Sequence, residues 1–260
     1  MGLDNVSLRK VLVSSGSLLS FFALWYVGSI AFPTALPAPD TVLEYTHGTI
    51  TSLGPRGYTG IDHLVYSLRR VAIIGAISLT AALGIGIMMG LNETIEDVVS
   101  MWLPIWMTIP DIIAILFFMI LIGFHGGSVI VVVSIFAAPF GIVNIWEGIQ
   151  DLDREIVEMG QTFEVSSASM WRHVYLPHLL PYVFASSRYL LGQIWKLVLV
   201  GEAIGLTTGM GSVIRFWFTQ GSITPIIAYL MLFMVVVLGV EYGILEPLER
   251  RFFGWRPESG

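Results

Sequence analysis

The sequence predicts an all-α, polytopic membrane protein with six transmembrane helices. Three observations carry that expectation. Of 260 residues, 55% are hydrophobic and 12% charged, where a soluble domain carries about a quarter charged residues. The apolar residues collect into runs of about 20, enough to cross a bilayer as a helix. The one long polar connection between late runs repeats its apolar residues every three or four positions, as a helix does. The absence of cysteine excludes disulfides and cysteine-held metals. A net charge of −6 argues against a nucleic-acid binder.

Hydropathy over windows of about 19 residues places the spans at 11–32, 70–91, 101–123, 127–148, 179–203 and 223–245. The first follows Arg9 and Lys10, carries Trp25 and Tyr26, and has no small-x-small cleavage pattern before Pro33. It reads as a retained helix that also serves as the insertion signal. The segment after it, "PTALPAPDTVLEYTHGTITSLGPRGYTGIDH", is rich in Pro, Gly and Thr and is expected to be ordered but irregular, and external. In the second span the run "VAIIGAISLTAALGIGIMMGL" is uncharged, and Gly86 and Gly90 form a small-xxx-small pair suited to close helix packing. Pro104 and Pro110 in the third span and Pro139 in the fourth predict kinks. After the fifth span, Gly205, Gly209 and Gly211 in "GLTTGMG" predict a flexible re-entrant turn near the outer surface.

Six spans put both termini on one side. Arg9, Lys10, Arg154, Arg172, Arg250, Arg251 and Arg256 share it, and Arg56, Arg69, Arg70 and Arg215 fall opposite. The excess predicts cytoplasmic termini and a cytoplasmic 149–178 loop in the cell membrane, with Arg69 and Arg70 discordant.

In that loop Ile149, Leu152, Ile156, Met159 and Phe163 form one apolar helical stripe, with Asp151, Arg154, Glu155, Glu158 and Gln161 largely off it. Ser166 or Ser167 can cap a second helix, running through Met170, Trp171 and Val174, before Pro177 resets the chain. The loop is a helix–turn–helix, either an interfacial anchor or a docking element.

"EMGQTFEVSSASMWRHVYLP", Glu158 to Pro177, resembles the cytoplasmic EAA loop of bacterial and archaeal ABC importer permeases: Glu158 opens it and Val174, Leu176 and Pro177 close it. Met159 and Gly160 stand for the two alanines, and Glu164 stands where that pattern has Gly. Such a Gly permits a left-handed turn, so Glu164 must take that conformation at a cost or use another turn. "SLRRVAIIGAISLTAALGIGIMMGLNETIEDVVSMWLPIWMTIPDIIAIL", "LVLVGEAIGLTTGMGSVI" and "LERRFFGWRP" are similar to the nitrate/sulfonate/taurine/bicarbonate-type permeases. The resemblance implies a MetI-like fold: a transmembrane helix and external segment over 1–69, a permease core over 70–248 and a cytoplasmic tail over 249–260. It implies a non-catalytic permease subunit of an ATP-driven importer for a small solute, an anion by family. It also implies ABC ATPase subunits gripping the loop, a second permease subunit (an identical copy or a close relative), an extracytoplasmic substrate-binding protein and surrounding lipid. The coupling loop would comprise Glu155, Glu158, Met159, Gly160, Phe163, Glu164, Ser166, Trp171, Arg172, Leu176 and Pro177. The chain lacks a Gly-x-x-x-x-Gly-Lys-Ser/Thr loop, so ATP and Mg belong to the partner ATPase and this chain binds no cofactor. No histidine or carboxylate grouping has metal-ligand spacing.

Asp111, Arg188, Lys196 and Glu202 fall in or near the spans. Intramembrane charge faces protein or water. Asp111, Lys196 and Glu202 are candidate path residues, Lys196 as an attractor of anions and the two carboxylates as partners of bases or gate residues. An ion-coupled secondary transporter is the alternative; it calls for mid-span ionisable residues and an internal repeat, and no repeat is visible.

Overall fold

The structure, a computed structural model, describes residues 3–253. Arg256 and the rest of the tail over 254–260 lie outside the described residues, as do the side chains of Arg9 and Lys10. Among the described residues there are helices and no strands. In chain order they are α1 (Leu3–Ala31), α2 (Pro39–Thr51), α3 (Gly60–Leu91), α4 (Glu93–Thr108), α5 (Asp111–Ile122) and α6 (Gly126–Gln150). Then follow α7 (Arg154–Thr162), α8 (Ser167–Met170), α9 (Leu176–Gly205), α10 (Met210–Thr219), α11 (Ile223–Val240) and α12 (Glu246–Phe253).

Helices α3, α6 and α9 form the centre. The glycines of α3 set how closely they approach. A Cβ on Gly86 would stand 2.8 Å from Ile145 Cβ, and one on Gly90 would overlap the Ile149 side chain. The pair expected for close packing therefore does face a neighbour, α6. Gly141 and Gly148 of α6 lie in turn against Ser186 and Tyr182 of α9. The core between them is Ile74, Val133, Ile145, Leu190, Ile194 and Val198, all buried.

Among the described residues, three helices are long and apolar enough to cross a membrane: Gly60–Leu91, Gly126–Gln150 and Ile223–Phe252, the last running through α11 into α12. Two bent pairs raise the number of candidate spans to five, and the apolar part of α1, Ser15–Ala31, is a shorter apolar helix. The third span was expected to be one kinked helix. It is instead two, α4 and α5, meeting at 96°. Ile109 takes an extended conformation because it precedes Pro110, whose ring disfavours helix in the residue before it. Pro104, by contrast, is accommodated inside α4, and α6 runs through Pro139.

The external segment was expected to be irregular, yet it contains α2, entered at Pro39, whose fixed φ suits a first helical position. The boundaries expected at 69/70 and 248/249 fall inside α3 and α12. α3 starts earlier than hydropathy indicated because Thr59 and Asp62 cap it reciprocally: Thr59 Oγ1 accepts from the Asp62 N–H at 3.2 Å, and Asp62 accepts from the Thr59 N–H at 2.8 Å.

Pro177 was expected to reset the chain. The helix instead passes from α8 into α9 through a wide turn, Trp171–Tyr175, in which the Leu176 N–H reaches Trp171 O. The same device joins α11 to α12: Glu241–Leu245 is a wide turn, the Glu246 N–H reaches Glu241 O, and Pro247 follows. A proline clashes with the carbonyl four residues back in a regular helix. A preceding π-type turn changes that spacing, so both helices continue past their prolines.

Candidate functional site

The α7–α8 knuckle stands on a stiff base. Tyr182 Oη of α9 donates to Asp151 at 2.5 Å, and His178 Nε2 lies 3.0 Å from Gly148 O. Asp153 caps α7 by accepting from the Glu155 N–H at 2.9 Å. α7 ends at Thr162, and the Val165 N–H donates to Gly160 O at 2.9 Å while the Glu164 N–H donates to Gln161 O at 3.0 Å. These two bonds are the Schellman closure, which needs a left-handed residue between helix and exit. Glu164 fills it with φ 52°. Of the two ways open to that residue, it takes the strained one. Ser166 is the cap of α8, accepting from the Ser169 N–H at 3.4 Å.

α7 and the α8 turn border a cavity of about 210 Å³ lined by Val157, Val165, Met170, Trp171 and Tyr175, with the Trp171 and Tyr175 rings 4.8 Å apart. Gly160 makes room for Met170: a Cβ there would stand 2.5 Å from Met170 Sδ. The apolar stripe of the loop divides in two. Ile149 and Leu152 are buried, while Ile156, Met159 and Phe163 are exposed, Phe163 by 75%. Leu176 is exposed too. Glu155, Glu158, Glu164 and Arg172 are exposed around this apolar tip, and Pro177 is exposed at the start of α9. Beside α7, a cavity of about 660 Å³ opens against the α3–α4 turn, lined by Glu93, Glu96, Asp97 and Glu158.

At the other end of α9, Glu202 is fully buried. Arg70 Nη1 donates to it at 2.6 Å, Ser67 Oγ at 2.7 Å and the Gly211 N–H at 3.0 Å. The loop over 205–211 is fastened around this carboxylate. Arg56 donates to Thr207 O at 2.9 Å, Arg70 to Thr208 O at 3.0 Å and Arg215 to Ile204 O at 3.1 Å. Gly209, at φ 105°, lies against the Glu202 carboxylate, where any Cβ would overlap it. The turn expected to be flexible is a pinned one, bending α9 to α10 by 52°. Three arginines that counted against the orientation thus serve as ties, two to this loop and one to the end of α9 that leads into it, and Arg69 remains exposed. Spacing along the chain gave no sign of this, since Arg70 and Glu202 are distant in sequence.

Residues 82–251 match the family described as the binding-protein-dependent transport system inner membrane component. The chain belongs to that family. Among its relatives, the taurine transport system permease protein TauC of Escherichia coli K12 is 25% identical over 256 residues, covering 96% of this chain and 92% of the relative. The putative aliphatic sulfonates transport permease protein SsuC of Bacillus subtilis is 26% identical, covering 90% and 84%. The bicarbonate transport system permease protein CmpB of Synechococcus elongatus is 23% identical, covering 95% and 88%. In fold, the chain is similar to an inward-facing MetNI methionine ABC transporter chain, with TM-score 0.65 and 19% identity, over 74% of this chain and 95% of that one.

This ABC importer permease is a multi-pass membrane subunit, and its family works with ATPase and substrate-binding partners. Its three expected path residues are not brought together. Asp111 opens α5, where a carboxylate suits the positive end of the helix dipole. Glu202 is enclosed in the buried cluster. Lys196 lies on an open face of α9.

Proposed function

We propose that the permease carries a small anion across the membrane, driven through the 149–178 loop by a separate ATPase that binds the ATP and Mg. The chain itself is non-catalytic. The loop and both termini face the cytoplasm, and two identical permease chains flank the path, with a binding protein docking on the outer end. The anion class comes from the relatives named for taurine, sulfonates and bicarbonate.

One observation supports the coupling role above the others. The knuckle is tied to α6 and α9 and runs without a break into α9, yet its apolar tip, Met159, Phe163 and Leu176, is uncovered. An interfacial anchor would need only the oily stripe. Here the tip is ringed by Glu155, Glu158 and Glu164, which suits a protein cleft better than lipid. A push on a stiff element is transmitted to the helices it continues into, and ATP drives the cycle through its different affinity for the two states.

The test is capture of the co-expressed ATPase by the tagged permease. Glu158→Lys and Leu176→Asp should leave membrane insertion unchanged and reduce the captured ATPase by about tenfold or more, the loss of roughly 1.4 kcal/mol. Normal yield of ATPase with both variants contradicts the docking role.

A further inference from the structure

One face of α9 has the wrong chemistry for lipid. Ala185, Arg188, Tyr189, Gly192 and Lys196 recur three or four apart and are all exposed, with Gln193 half-buried beside them. Such positions share one side of a helix. The opposite side, with Ser186, Leu190, Ile194 and Val198, is buried in the core. Exposed positions on α5 are oily by contrast: Ile112, Ile113, Leu116, Phe117 and Ile120.

The polar groups of the α9 stripe lean one way. Arg188 is held by Glu241 at 3.2 Å and Glu249 at 2.6 Å, which occupies both carboxylates. Gln193 Nε2 donates to Tyr189 Oη at 3.3 Å, leaving the phenol O–H free to donate outward. Among the described residues Lys196 has neither an ion pair nor a hydrogen bond. A Cβ on Gly192, one turn away, would meet nothing within 4 Å. The stripe therefore offers an ammonium, a phenol and an amide beside open space, with no free carboxylate.

Depth makes the ammonium informative. Lys196 lies nine residues before the end of α9 at Gly205, or about 14 Å at the rise of an α-helix. Lysines near helix ends extend to the interface, but Lys196 is about two and a half turns from that end. A charge so placed requires water or a counter-ion.

Resting on the importer reading above, we propose that the Tyr189–Gly192–Lys196 face of α9 lines the solute's path, and that Lys196 selects small anions over cations. With two copies of the chain, the two ammonium groups would border the same path.

The chain's lack of cysteine permits a direct test. Single variants Gly192→Cys, Ile120→Cys and Ile194→Cys are made in the full importer complex in membrane vesicles. Each is treated with an anionic methanethiosulfonate (ethylsulfonate) and a cationic one (ethyltrimethylammonium), and labelling is normalised to that after SDS. Gly192→Cys should react with both reagents well above Ile120→Cys, exposed on the oily face of α5, and the buried Ile194→Cys. Adding Lys196→Gln to Gly192→Cys should lower the anionic-to-cationic rate ratio by about tenfold, as expected for a unit charge one turn away in a wet site. Lys196→Arg should preserve the ratio. Reactivity at Gly192→Cys no greater than at Ile120→Cys overturns the path assignment, and a ratio unmoved by Lys196→Gln overturns the selectivity role. Labelling does not depend on ATPase capture, so either result is separable from failure of the coupling reading.

Discussion

Glu164 holds the left-handed position of the α7 exit, where a side chain costs about 1–2 kcal/mol. Glu164→Gly should retain ATPase capture and raise the midpoint of thermal unfolding slightly, by the equivalent of up to about 1 kcal/mol once glycine's extra chain entropy is deducted. Glu164→Val should lower both, because a β-branched residue tolerates that conformation worst. Glu202 presents the opposite case of a strained-looking residue that is fully satisfied. Glu202→Gln leaves Arg70 half-paired in a buried site and should destabilise by about 3–5 kcal/mol. Thermal unfolding of Glu202→Gln, Arg70→Gln and the double variant should show non-additivity, as for groups sharing one network. The strain at Glu164 was legible in the sequence, since the resemblance marks where a glycine belongs. The role of Arg70 was not. Counting basic residues by side treats each as a topological marker, and cannot show that Arg56 and Arg70 bind carbonyls of one loop and Arg215 a carbonyl at the end of the helix before it.

Helix contacts follow the glycines. Gly90→Ala should push against Ile149 and cost about 1–3 kcal/mol, with partial recovery in Gly90→Ala/Ile149→Val. Gly84→Ala, where a Cβ meets nothing within 4 Å, should be neutral or gain up to about 1 kcal/mol from helix propensity. Unfolding midpoints of the solubilised protein check both. The paired glycines were visible as a pattern, and the loop's helix–turn–helix was visible as a stripe. The stripe did not show that Ile149 and Leu152 belong to the core while Met159 and Phe163 stay outside, because periodicity identifies a face and not what covers it. The right angle between α4 and α5 was missed for a related reason. Hydropathy passes smoothly across Ile109 and Pro110, so it marks a run as apolar without showing where the run turns. Pro177 and Pro247 do not break their helices because a wide turn precedes each.

Taken as one body, the molecule places its two distinctive features at opposite ends of α9. The knuckle and the acidic α3–α4 turn lie at one end, and the loop pinned by Glu202 lies at the other. Lys196 sits between them on the open face. On the function proposed above, α9 joins the driven element, the charged face and the pinned loop, an arrangement suited to alternating access, in which closure at one end is felt at the other. Uptake by vesicles holding the complete complex should therefore require ATP and the ATPase, and an ion gradient alone should not support it. The most direct test of the coupling claim is cross-linking at the tip. Phe163→Cys, the sole cysteine in the chain, is paired with surface cysteines on the co-expressed ATPase and treated with a short bifunctional thiol reagent. We predict a permease–ATPase cross-link whose yield changes with ATP, and none from Ile120→Cys on α5. A Phe163→Cys permease that never links to the ATPase in any nucleotide state, while the wild-type complex remains intact, contradicts the account.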